Sequence, residues 1–363
     1  MPTTIPGYPG PLFLRAADAG VGTARRFHFG AVFLHLLFAC LVVAGSAEAA
    51  ETLTLRLGFE TPRTDSQFIG AARLSELVRE RSGGRLRIKL FPASVLGSGP
   101  AMLAEVREGN LDMYLGGSGY FANLAPRLNI VDIPFLFAGY RHADSALNGG
   151  VGDEMLAELE PFALKGLAFW ENGFRCLTNN RGPVRSAEDV RGLRLRTLAN
   201  PMHLEAWSLL GTTAIPLPLA ELYTAIENGM VQGQEHPLNV TRSARLFEVQ
   251  RHVSVTNHVY SPLILAINKK RFDAFPEDLR TMLIESAREA GAHQKQFIRE
   301  NIARYLEEME ASGCEIIPAA AVDADSFVRA VGVRCRDVYL REYGGSAGKR
   351  WLEAIDAMSV RDH

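Results

Sequence analysis

The chain has 363 residues, 47% of them hydrophobic, and 39 basic against 41 acidic residues give a formal net charge of −2. That length ordinarily folds as two domains, each large enough to bury its own core. The near-balance of charge excludes a broad electrostatic field for nucleic acid or an anionic membrane surface, and no repeat or low-complexity tract interrupts it.

Arg25 and Arg26 precede an apolar run, Phe27 to Val43, which gives way to Ala44, Gly45, Ser46 and Ala47. Charged, then apolar, then small is the order of a secretory signal peptide, although residues 1–24 make an unusually long leading region. Ala47-Glu48-Ala49 fits the cleavage rule, so residues 1–49 are expected to be removed and the mature chain to begin near Ala50. A membrane anchor is the alternative, disfavoured because a run of about 17 residues is short for a span. No later stretch approaches that length. Three cysteines remain beyond the cleavage point, Cys176, Cys314 and Cys335. An odd number leaves one or all unpaired, with Cys314 and Cys335 the pair considered for a disulfide.

Leu53, Leu55 and Leu57 alternate with polar residues and predict a half-buried strand. Ala71 to Arg81 reads as an amphipathic helix closed by Gly83-Gly84. Leu86, Ile88 and Leu90 alternate with Arg85, Arg87 and Lys89 in a second strand. Pro100 opens a helix that Gly109 ends. Leu111 to Leu115 predicts a third strand running into the turn Gly116-Gly117-Ser118-Gly119. Strand and helix in alternation imply α/β lobes with mainly parallel strands. The pattern resumes after Gly173: a capping box at Ser186 and Asp189, a short strand ending at Arg196, and a helix from Asn200-Pro201 to Gly211. A helix over Glu221–Glu227 and a buried strand over Leu263–Ile267 follow. Residues 277–311 keep helical spacing without proline, which predicts a helix of roughly 50 Å. Such a helix is longer than one lobe requires and suits an element spanning two.

Enzyme signatures are missing. Gly116-Gly117-Ser118-Gly119-Tyr120 lacks the final glycine of a nucleophile elbow, and no zinc-spaced cysteine pair, His-Glu-x-x-His helix or phosphate loop occurs. No metal or cofactor is expected. In open α/β sheets ligands sit beyond the carboxyl ends of strands, and Arg196 has that place in the pattern. Its planar fork of donors matches a carboxylate. The competing reading is that Arg194 and Arg196 are both solvated on one strand face.

Several segments, in order, resemble the extracytoplasmic binding subunits of tripartite ATP-independent periplasmic (TRAP) transporters, dicarboxylate-binding type. They are Leu96-Gly97, Ile133 to Phe137, Gly173 to Asn179, Glu188 to Arg196, Glu221 to Gly229, Gly233-Gln234-Glu235 and Thr256-Asn257-His258. The resemblance covers nearly the whole mature chain. It implies a two-lobed, type II-like periplasmic binding protein with a hinge and a long helix spanning both lobes. Lobe I would comprise 51–172 plus 262–301, and lobe II 173–261 plus 302–363. The implied function is capture of a small organic carboxylate in the periplasm by a non-enzymatic, monomeric protein, soluble once the signal is removed, that hands its ligand to two membrane subunits. A sensing partner of a signalling receptor and, more remotely, a periplasmic enzyme are the other readings.

The resemblance also implies a site. Arg196 would pair with the carboxylate, with Arg175 nearby and Trp170 and Asn172 facing the cleft. Core packing is the alternative for Trp170. Glu60, Ser118 and Tyr120 are candidate first-lobe contacts, with turn hydrogen bonding the alternative. Leu219, Glu235, His236 and Asn257 complete the set. Where the family reads Asp-Gly-Gln-Glu-Asn, Gln232 and His236 replace the first and last residues. A neutral imidazole at 236 would donate one bond; a protonated one would add charge for a second carboxylate. Gly116–Gly119 lacks the acidic residue of sialic-acid-binding relatives, so a small mono- or dicarboxylate is expected over a large polyhydroxylated sugar acid.

Overall fold

The computed structural model describes residues 52–359. The expected signal peptide lies outside the described residues. Alternation in the first two strands folds as read: in β1 (Leu53–Gly58) and β2 (Leu86–Phe91), Leu55, Leu57, Leu86 and Ile88 are buried while Arg56 and Arg87 face solvent. The following helix starts earlier than its apolar spacing indicates, spanning Ser66–Arg81, because Asp65 caps it by accepting from the Gln67 amide at 2.9 Å. β3 runs Met113–Gly117, and Ser118 opens a short helix, Ser118–Ala122, in place of the expected turn.

Further strands are β4 (Leu164–Asn179), β5 (Arg194–Thr197), β6 (Thr213–Pro216), β7 (Gly233–Pro237), β8 (His252–Asn268) and β9 (Glu315–Ile317). They form one sheet in the order β2-β1-β3-β8-β4-β7-β5-β6, with β9 beside β8. The expectation of a mainly parallel sheet holds for its two ends, where β1 pairs with β2 and β3, and β5 with β6 and β7. It fails in the middle. There β4 and β8, of 16 and 17 residues, run antiparallel to each other through both halves of the molecule. Their register shifts between Glu171 and Gly173, where Gly173 takes φ 113°. A side chain resists that backbone, and the bulge re-aims the strand as it passes from one half to the other.

The long helix spans Glu277–Ala311, as its spacing predicted. Its first half buries Leu279, Leu283, Ala287 and Ala290 with the β1–β3 residues Leu55, Leu57 and Met113. Its last turns bury Tyr305 and Met309 with Cys176, Leu238 and Val253. One helix therefore serves the cores of both halves. Cys176, Cys314 and Cys335 are all free buried thiols. The disulfide considered for Cys314 and Cys335 is not formed, since the two sit in different apolar clusters. Among the described residues, no helix is long and apolar enough to cross a membrane.

Candidate functional site

A small cavity of roughly 40 Å³ lies between the two halves, where the carboxyl ends of β1, β3, β5 and β7 meet the bulge of β4. Its lining brings together Glu60, Tyr120, Asn172, Arg175, Arg196, Leu219 and His236 from the sequence-derived set. A larger groove of about 640 Å³ lies outside, along the long helix. Its charges are already matched, Lys295 to Asp144 at 3.0 Å and Arg299 to Asp144 at 2.7 Å. Unpaired groups converge in the smaller cavity, and that decides between them.

On β5, Arg194 is exposed and Arg196 fully buried, so the two arginines do not share a solvated face. A guanidinium carries five N–H donors. In Arg196, Nε and Nη2 each donate to the Leu217 carbonyl, at 2.9 and 2.5 Å, and Nη1 donates to His236 Nε2 at 3.0 Å. Two N–H groups remain, one on each terminal nitrogen. Together they make the end-on fork that fits a carboxylate.

His236 is fixed by what surrounds it. Gln234 donates through Nε2 to Thr178 at 2.8 Å and turns its Oε1 to His236 Nδ1 at 2.6 Å. Nδ1 therefore carries the proton and Nε2 accepts from Arg196. Burial, together with Arg196 and Arg175, holds the imidazole pKa well below its ordinary value. The ring is a neutral acceptor, and the extra positive charge considered for it does not develop. Gln232, the other departure from the family pattern, accepts from the Arg194 amide at 3.1 Å, outside the cavity lining.

Arg175 is held from behind. Glu235, fully buried, takes Arg175 Nε on Oε2 and Nη2 on Oε1, the latter at 2.9 Å. Thr197 donates to Oε1 at 2.7 Å, and His258 Nε2 meets Oε2 at 3.3 Å. Burial pushes the Glu235 pKa up, but Arg175, His258 and His203 hold it well below the usual carboxylate range. Glu235 acts through Arg175 and does not line the cavity.

The opposite wall differs. Glu60 Oε1, Thr61 Oγ1, Gln67 Oε1 and Asn172 Oδ1 line the cavity, buried and without a hydrogen-bond partner among the described residues. Three of the four only accept; the Thr61 hydroxyl can also donate. The halves meet beside them: Asn200 Nδ2 donates to Asn129 Oδ1 at 2.9 Å, and a side chain on Gly119 would stand 2.5 Å from Leu198.

Three expected contacts lie elsewhere. Trp170 is fully buried in the core, its Nε1 donating to Ala287 of the long helix at 2.9 Å and its ring against Gly70 and Gly291. Ser118 is buried with its hydroxyl unpartnered, but it is not on the lining. Asn257 faces solvent with φ 45° and contacts the Cys176 sulfur. Sequence reasoning missed Thr61, Gln67, Leu198, Val240, Ser261 and the carbonyl of Leu217. Thr61 and Gln67 follow Glu60 in the connection beyond β1, so the strand-end rule applied to that loop was the signal available. Among the described residues, no group of His, Cys, Asp and Glu is arranged to hold a metal ion.

An anion fork closed between two halves of one sheet, with a long helix shared by both, defines a hinged solute-binding protein. The chain belongs to the bacterial extracellular solute-binding proteins of family 7, whose model matches residues 57–342. It is 41% identical to the 2,3-diketo-L-gulonate-binding periplasmic protein of Escherichia coli K12, over 89% of this chain and 97% of that one. Among solved structures it resembles a TRAP solute-binding protein of Polaromonas bound to D-erythronate, with TM-score 0.80 and 32% identity over 85% of this chain and 99% of that one. A sugar-acid-binding protein of Advenella mimigardefordensis in complex with galactonate is similar, with TM-score 0.81 and 27% identity over 85% and 99%.

Proposed function

We propose that this chain is the periplasmic receptor of a TRAP transporter for a sugar acid: a hydroxylated monocarboxylate gripped at its carboxylate by Arg196. One observation carries the reading. The end-on fork of Arg196 opens onto a cavity whose far wall offers acceptors, Glu60 Oε1, Gln67 Oε1 and Asn172 Oδ1. A buried acceptor left unpaired costs about 1–3 kcal/mol. Ligand hydroxyls donate and remove that cost, whereas a second carboxylate cannot. This keeps the expected small carboxylate but favours a hydroxylated one, with Glu60, two residues beyond β1, as the acid that Gly116–Gly119 lacks. The ligands held by the similar proteins, 2,3-diketo-L-gulonate, D-erythronate and galactonate, are of this chemistry.

In this reading residues 1–49 are the cleaved signal and the mature monomer works in the periplasm without turning over its ligand. Lobe I (51–172 plus 262–301) and lobe II (173–261 plus 302–363) hinge at the β4 bulge, and two membrane subunits receive the closed form. Ligand favours closure only through contacts that exist in the closed form, here Glu60 and Asn172 against Arg196. Thermal shift and titration calorimetry with aldonates, uronates and four-carbon dicarboxylates test it. Aldonates or uronates are expected to raise the melting temperature and bind in the micromolar range, about −8 kcal/mol. A stronger shift with plain dicarboxylates would sink the reading.

A further inference from the structure

Glu60 sits two residues beyond β1, and its two carboxylate oxygens have different fates. Oε2 faces the protein: the Tyr114 hydroxyl lies 3.5 Å away, and the Gly99 amide and Tyr120 hydroxyl are near enough to favour the charged carboxylate. Position 99 is built around it, since a Cβ there would stand 2.6 Å from Oε2 and 2.6 Å from the Tyr120 ring. Oε1 is buried on the cavity lining without a partner. One oxygen thus faces Tyr114 and Gly99, and the other is turned to whatever occupies the cavity.

We propose that Glu60 is the specificity-determining residue of this site, accepting a hydroxyl from the distal end of a monocarboxylate and rejecting ligands that carry a second carboxylate there. The inference rests on the sugar-acid reading above and adds to it a rule about which sugar acids enter. An ionised carboxylate has no proton to donate, so it suits a hydroxyl and opposes another anion. Two carboxylates sharing a buried site cannot both stay ionised without a large penalty, so an incoming one must bring a proton or be excluded. The groups facing Glu60 are Tyr114 from β3, Tyr120 from the Ser118–Ala122 helix, the Gly99 amide from the helix Gly99–Glu108, and Arg196 from β5. Arg196 is the cation among them, with its fork committed to the ligand's first carboxylate, and Arg175, also on the lining, is held by Glu235 and lies 3.4 Å from Ser261 Oγ.

The test uses matched acids that differ at one end: D-erythronate with meso-tartrate, and D-galactonate with galactarate. Each aldarate carries a carboxylate where its aldonate has a hydroxymethyl group. Calorimetry on the wild-type mature chain is expected to favour an aldonate over its aldarate by about a hundredfold, as like-charge juxtaposition dictates. In Glu60→Gln that ratio falls below about tenfold, chiefly because the aldarate binds more tightly. A second measurement needs no variant: in the wild type, aldarate affinity rises as pH falls into the Glu60 titration range, while aldonate affinity does not. Equal binding of both acids by the wild type, or a ratio untouched by Glu60→Gln and flat with pH, overturns the role of Glu60 and leaves the sugar-acid reading standing. Binding of none of the four acids overturns that reading and this one with it.

Discussion

The wall that β5 and β7 supply to the cavity has its polar atoms held by the protein itself, apart from the two N–H groups that Arg196 keeps free. Leu217, His236 and Glu235 each hold one or more guanidinium donors, and Gln234 holds His236. The wall supplied by the connection after β1, the start of the Ser66–Arg81 helix and the β4 bulge leaves four buried oxygens unpaired among the described residues, three of them pure acceptors. The first arrangement presents a rigid fork whose geometry is set before binding, which lowers the ordering cost of gripping a carboxylate. The second waits for the ligand to complete it. Recognition of the acid group is thereby separated from recognition of the rest of the molecule, and selectivity lies on the unfinished wall.

Removing Arg196 is the most direct way to break this comparison. Arg196→Ala takes away the fork and leaves a ligand anion buried without its partner, a loss of about 3–5 kcal/mol. Every acid the protein binds should weaken by a hundredfold or more, roughly tenfold per 1.4 kcal/mol, as read by calorimetry. Arg196→Lys should fail too, because one ammonium cannot reach Leu217, His236 and both carboxylate oxygens. Retained affinity in both variants would mean that the occupied wall is not the anion wall.

The support behind Arg175 sets the next effect, and it is read in stability. Glu235→Gln leaves a 2% exposed guanidinium without its counter-ion, so the mature chain should lose about 3–5 kcal/mol in a denaturant titration. The pH dependence has a fixed sign. Because the folded pKa of Glu235 is depressed, its contribution is complete above the unfolded value of about 4.3 and lost as pH falls through the folded one. Wild-type stability should decline through that acid window, and the variant should decline less.

What the sequence made legible follows the same division. Arg196 was legible as a candidate from its place at a strand end, but the pattern alone left open that it was solvated beside Arg194, and the family resemblance decided. The helix Glu277–Ala311 was readable because its apolar spacing continues without proline from cap to cap. The full length of β4 and β8 was not, with only Leu263–Ile267 of β8 read as a buried strand, since both of their faces are buried and no alternation survives. Trp170 and Asn172 were both expected in the cleft from the family resemblance, and in a regular strand they would share a face. The bulge between Glu171 and Gly173 separates them, sending Trp170 to the core and Asn172 to the cavity. The unpaired acceptors could not be read at all. Being unpaired depends on what every neighbouring element fails to supply, and that exists only once the chain has folded.

Asn172 sharpens the comparison from the unfinished side. Asn172→Ala removes one acceptor and should weaken an aldonate by about tenfold, the worth of one good hydrogen bond. For an acid lacking the matching hydroxyl, the same change should do almost nothing. A uniform loss across all acids would show instead that Asn172 helps to shape the anion wall.

The smallest effect belongs to His236, and it separates positioning from charge. If the ring serves only as an acceptor for Arg196 Nη1, then protonation has no part in binding. Affinity should then stay flat as pH crosses the ordinary histidine value of about 6.5. His236→Asn offers a side-chain oxygen to the same guanidinium and should cost about threefold or less, within the worth of one retained hydrogen bond. His236→Leu offers nothing, leaves an Arg196 donor unpaired, and should cost about tenfold. A steep rise in affinity on acidification would mean that a cationic imidazole touches the ligand, and the wall would no longer be complete before binding.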